Sequence, residues 1–145
     1  MPTAAKLAAA ILFGALAWAA SLLVERRLPG AGPGWFAEAN AAIGAVLGWR
    51  IAGGRAGTTL GGAVGYGLTA AVATALVALF AHSFWQMLRR SLRRLYDGPA
   101  EALVDVARLM LDHAPLLADL AVAGTVLGGG VVAGLLVEWV GRRLG

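Results

Sequence analysis

The side chains best able to do chemistry in this 145-residue chain are few, and most of them interrupt apolar runs. Glu38 and Asn40 stand near the start of one such run, Asp119 near the start of another, and Glu138 next to Trp139 at the end of the latter. Charge is costly to bury in lipid, so ionisable residues at membrane depth are functional candidates. Glu38, Asn40 and Asp119 could together line a polar cavity for an ion or a proton. Snorkelling to the interface, or a hydrogen bond to a neighbouring helix, accounts for them as well. The chain has no cysteine, which removes disulfides, thiolate metal sites and any thiol nucleophile or redox pair. His82 and His113 lack the close spacing of a metal site and read as satisfied or interfacial histidines, although His82 could in principle ligate a haem. There is no Walker loop, HExxH pair, dinucleotide fingerprint or serine elbow, and the run "GTVLGGG" lies in an apolar block, where glycines serve packing. No catalytic, cofactor-binding or metal-ligating residue is therefore assigned, and the chain reads as a non-enzyme without a cofactor.

The elements that would position these residues belong to a membrane protein. Hydrophobic residues make up 59% of the chain and charged ones only 14%, with a mean hydropathy of +0.75, a profile outside that of soluble domains. The net charge of +4 comes mostly from residues between apolar blocks, which points to topology and phosphate headgroups and away from nucleic acid. A crossing needs roughly 20 apolar residues. Four blocks approach that length, at about 7–24, 35–51, 60–84 and 115–140, giving a single all-α integral-membrane domain over residues 1–145. The first block competes with a signal peptide, with Lys6 as its basic region and Ala17-Trp18-Ala19 as a cleavage site; the presence of Met1 favours an uncleaved anchor. The second carries Glu38 and Asn40 and reads either as a crossing flanked by Trp35 and Trp49 or as a re-entrant segment. The loop at 28–34 holds two prolines and three glycines, and Pro115 is expected to open the fourth crossing.

Glycines recur every fourth position: Gly44 and Gly48; Gly57, Gly61 and Gly65; Gly124 and Gly128; Gly130 and Gly134. In lipid, where no hydrophobic force drives helices together, such small-residue faces let backbones approach. They are expected to pack within the monomer or to mediate oligomerisation.

Between the third and fourth blocks lies the basic run "RRSLRRLYDGP". At 100° per residue Trp85, Leu88, Leu92, Leu95 and Tyr96 share one face while Arg89, Arg90, Arg93 and Arg94 occupy another, which predicts an amphipathic interfacial helix at about 85–96 resting on anionic lipid. A second helix, at about 100–112, has a narrow polar stripe of Glu101, Asp105, Arg108 and Asp112, predicting burial against the helical body or against a second polypeptide. With four crossings, an internal N-terminus leaves Lys6, Arg50, Arg55, Arg142 and Arg143 in the cytoplasm. The reverse leaves Arg26, Arg27, Arg89, Arg90, Arg93, Arg94 and Arg108 there, and the balance leans to the second arrangement.

The stretches "MPTAAKL", "GWFAEANAAIG", "GWR" with "RAG", and "SLRRLYDGPAEAL", in that order, resemble the TrgA family of small bacterial membrane proteins associated with tellurite resistance. The resemblance covers most of the chain. It implies a multi-pass protein of the bacterial inner membrane and carries no catalytic residues. A chain without cysteine is not expected to reduce an oxyanion by itself. The expected role is that of a structural or accessory subunit of a larger membrane complex, with a small homo-oligomeric channel or transporter for an ion or oxyanion as the alternative.

Overall fold

Helix starts are set by local chemistry. In the computed structural model, which describes residues 3–30 and 32–144, the Thr3 hydroxyl accepts the Lys6 N–H to begin α1 (Ala4–Arg27). Met1, Pro2, Ala31 and Gly145 lie outside the described residues, and with them the start of the "MPTAAKL" stretch, on which the expectation of an uncleaved anchor rests, and one residue of the 28–34 loop. Thr59 caps α3 (Leu60–Ser91) by accepting the Gly62 N–H at 3.0 Å, and Pro99 sits in the first turn of α4 (Pro99–Ala118). Between them α2 (Phe36–Leu47) passes into a π-helical turn, Gly48–Ala52, closed by the Gly53 N–H on the Gly48 carbonyl. Asp119 ends α4 and starts α5 (Leu120–Leu144), its Oδ1 accepting the Ala121 and Val122 N–H groups.

The chain is therefore all-α, with five α-helices among the described residues, of which α1, α3 and α5 are long and apolar enough to cross a membrane. The second block is shorter than expected: α2 has 12 residues, and only with the π turn does it reach the level of Lys6, against whose backbone Gly53 packs. At its other end Asn40 meets Ser21, so α2 and the turn run antiparallel to α1 along most of its length.

Two boundaries differ from the sequence expectation. No separate interfacial helix spans 85–96; α3 continues unbroken for 32 residues, about 48 Å, to Ser91. No glycine or proline falls between Gly67 and Gly98 to stop it sooner. The chain then turns through Arg94, whose φ of 53° lies in the left-handed region. Nor does Pro115 open the last span. It lies inside α4, and the break comes at Asp119, where a carboxylate can cap the next helix.

The interior is built from small side chains and the outside from large ones. Ala9, Ala52, Ala63, Ala70, Ala71 and Ala133 join Phe13, Tyr66 and Val137 in the main core, while Ile11, Trp18, Leu76, Phe80, Leu127 and Leu136 are exposed. That inversion suits lipid, where close backbone approach replaces hydrophobic burial.

Only some of the glycines make such approaches. Gly67, Gly130 and Gly134 bring α3 and α5 into backbone contact: a Cβ on Gly134 would strike the Ala63 carbonyl, and one on Gly67 the Gly130 carbonyl. Gly44 and Gly48 do the same for α2 and its π turn against the Phe13 and Ala9 carbonyls of α1. Gly61, Gly65, Gly124 and Gly128 face open space, so of the two expected roles they do not fill the one of packing within the monomer; their positions on α3 and α5 point away from the shared seam. Gly57 is a turn residue at φ +87°.

Gly134→Ala is expected to cost about 1–3 kcal/mol by overpacking. Gly65→Ala and Gly128→Ala, in open helix positions, are each expected to gain about 0.5–1 kcal/mol. Denaturant or thermal unfolding in detergent would check this, and equal effects for both classes would contradict the assignment of the seam.

Candidate functional site

Above the small-residue core the helices separate. Past Phe13 on α1 and Ala71 on α3 a cleft opens, with a free volume of about 110 Å³ and partly enclosed, to which all five helices contribute. Its wall is apolar apart from Ser21, Asn40, Thr74, His82, Ser83, Gln86 and His113, and no Asp, Glu, Lys or Arg lines it.

These polar groups form short chains. The Ser21 hydroxyl donates to the Ala17 carbonyl at 2.7 Å, leaving its oxygen to accept Asn40 Nδ2 at 2.8 Å. Asn40 Oδ1 then faces His82 Nε2 at 2.9 Å, and the direction of the chain makes that nitrogen the donor. The Phe36 ring lies 4.4 Å from the His82 ring, centroid to centroid, and Trp35 packs edge-on to Trp85 at 5.3 Å. On the other side His113 Nδ1 donates to the Leu109 carbonyl at 2.6 Å, so its Nε2 can accept from Gln86 Nε2 at 3.4 Å. Ser83 differs from these: it is 1% exposed, and its hydroxyl oxygen has no hydrogen-bond partner among the described residues.

The three intramembrane candidates do not meet. Asn40 is buried and lines the cleft; Glu38 is exposed and makes no hydrogen bond or ion pair among the described residues; Asp119 pairs with Arg27 at 3.1 Å and caps α5. The histidines, by contrast, reach the same cleft although they are 31 residues apart in sequence, a proximity that linear spacing does not signal. Among the described residues no group of three His, Asp or Glu side chains is placed to hold a metal ion.

A second polar cluster lies at the opposite end. Glu138 is 0% exposed, and its carboxylate accepts from the Gly57 N–H at 2.9 Å, the Tyr66 hydroxyl at 2.8 Å and Arg142 Nε at 2.8 Å. Arg142 also reaches the Thr58 carbonyl, so one carboxylate ties the α3 entry loop to α3 and to the last turn of α5. Sequence reasoning placed Glu138 at an interface, and only its i,i+4 spacing to Arg142 hinted at more.

The arginines divide as well. Arg90 grips Asp105 of α4 with two hydrogen bonds from Nη1, at 2.8 and 3.1 Å, and the Tyr96 hydroxyl donates to the same carboxylate. Met87, Val106 and Leu109 pack beneath them, which makes α3 and α4 a hairpin. The Tyr96 hydroxyl, and after it the Arg90 guanidinium, hold the Asp105 carboxyl below the usual carboxylate range against the opposing effect of burial. Arg89, Arg93 and Arg94 are exposed and have no such partner among the described residues.

No protein-family model matches this chain, and neither a curated protein nor a solved structure shows detectable similarity to it. The class defined by the fold is thus the coarse one, a small all-α protein with three long apolar helices able to cross a membrane.

Glu138→Ala would leave buried donors unpaired and is expected to destabilise the protein by about 1–3 kcal/mol, as read by unfolding in detergent. The depressed Asp105 carboxyl contributes stability that is fully present above the ordinary Asp value of about 4 and is lost as pH falls through its lower folded value. Protection of the amides of segment 92–105, measured relative to their intrinsic exchange rates at each pH, is therefore expected to fall as pH drops below the ordinary Asp value. A profile unchanged by Asp105→Asn would contradict that assignment.

Proposed function

We propose that this is a non-enzymatic, four-crossing protein of the bacterial inner membrane, a structural or accessory component whose α3–α4 hairpin rests on anionic headgroups. The fourth crossing is α2 with its π turn, since together they follow α1 from Ser21 to Lys6. Seventeen residues are at the short end of what spans the hydrocarbon core. The inner-membrane placement and the link to tellurite resistance rest on the resemblance to the TrgA family. Without a thiol in the sequence, any reduction of the oxyanion would fall to a partner.

The observation that carries this reading is the composition of the hairpin's outer surface. Leu92 and Leu95, beside Arg89, Arg93 and Arg94 in sequence, and Leu103 (65% exposed) and Leu111 (73% exposed) on α4 lie outside the three long spans. Apolar side chains beside uncompensated guanidinium groups suit the boundary between acyl chains and phosphates. Arg90 is excluded from that role by its commitment to Asp105. On α4 only Val106 and Leu109 are fully buried, so the helical body covers that helix in part and leaves an outer face for lipid or a second polypeptide.

Each arginine near an anionic surface contributes about 1 kcal/mol, or about fivefold in protection. Amide exchange in residues 89–98 is expected to be slower in vesicles containing phosphatidylglycerol than in phosphatidylcholine alone. The difference should disappear when Arg89, Arg93 and Arg94 are all changed to Gln, and at high salt. Equal exchange in both lipids would sink the anchoring role. Native mass spectrometry of the tagged protein, released from its own membrane, tests the accessory role by asking for a stoichiometric larger complex.

A further inference from the structure

We propose that the cleft above the small-residue core binds the head of an isoprenoid quinone, with Ser83 as its hydrogen-bond donor. Three features of the cleft select this class of ligand. Its wall carries no ionisable carboxylate, ammonium or guanidinium group, which disfavours phospholipid headgroups and fatty-acid carboxylates and suits an uncharged head. Its free volume of about 110 Å³ is of the order that admits a single six-membered ring, an apolar cavity of about 150 Å³ being enough for benzene. Beside it the Phe36 and His82 rings pack against each other at a tilt of 38°, placing aromatic surface on the wall where a flat head would sit.

Hydrogen bonding narrows the choice further. Thr74 is committed to the Ala70 carbonyl, and the Ser21–Asn40–His82 chain satisfies its own members. The Ser83 hydroxyl is buried, lines the cleft and is uncommitted among the described residues, so it is a donor held ready for an acceptor such as a quinone carbonyl. One turn further along α3 Gln86 has a second amide proton beyond the one directed at His113, which can serve the same head. His82 Nδ1, left as an acceptor by the direction of its chain, can take the hydroxyl proton of the reduced form. The cleft is only partly enclosed, which leaves a way out for an apolar tail.

The test uses the full chain in nanodiscs of zwitterionic lipid, titrated with a decyl-tailed benzoquinone while tryptophan fluorescence is followed. Trp35 is the natural reporter, its ring centroid lying 6.5 Å from that of His82. Saturable quenching is expected. Ser83→Ala should weaken binding about tenfold, the equivalent of one hydrogen bond. The same substitution should leave thermal stability equal or higher, because it removes a buried hydroxyl without a partner. A purely structural serine would not split the two readouts that way. Ala78→Phe, which fills the cleft from α3, should abolish saturation. Quenching that does not saturate, that both variants retain, or that excess decyl alcohol reverses would overturn the proposal.

Discussion

Everything else in this structure depends on the backbone contact between α3 and α5. Lipid offers helices no hydrophobic reason to associate, so attraction must come from dispersion between surfaces that come very close. Gly67, Gly130 and Gly134 remove the side chains that would hold the two helices apart, and Ala63 and Ala71 complete the seam. α1 joins the pair through Phe13 and Ala9, and α2 with its π turn seats Gly44 and Gly48 on the same stretch of α1.

That seam also explains why there is a cleft. Small residues dominate the lower half of the bundle, and toward the other end, where the cleft opens, larger α3 side chains such as Leu79, His82 and Gln86 join alanines on its wall. The space so made is lined by side chains that mostly answer one another. Ser83, the residue after His82, is the exception: its buried hydroxyl has no partner among the described residues, which is costly in an apolar surround and suits it to a ligand.

Charge is managed at the two ends. At one, Glu138 sits wholly inside yet accepts from three donors, the Gly57 N–H, the Tyr66 hydroxyl and Arg142 Nε, so the loop before α3 is tied to the end of α5. At the other, Arg90, Tyr96 and Asp105 fasten α4 back along the overlong α3, and Arg27 with Asp119 pins the turn into α5. Between these levels the three long spans α1, α3 and α5 carry no charged side chain, and the exposed leucines and aromatics face outward.

What the sequence determined by itself was what depends on neighbours along the chain. Hydropathy and block length placed the protein among membrane helices, and the position of the aromatic and basic residues marked the ends of the spans. The Arg89 to Arg94 run was legible as special, but helix propensity had no breaker with which to separate it from α3, so the boundary fell at Ser91 instead of near Trp85. Equally, Pro115 carried a start signal that Asp119 overrode by capping. Tertiary structure alone decided which glycines touch: the four-residue repeat is the same at Gly61 and Gly65 as at Gly130 and Gly134, and only the rotation of each helix about its axis tells an open face from a seam. It alone decided too that His82 meets Asn40 and that Glu138 meets Gly57 and Tyr66, because partners 42, 81 and 72 residues apart are joined by packing and leave no periodic trace in the sequence.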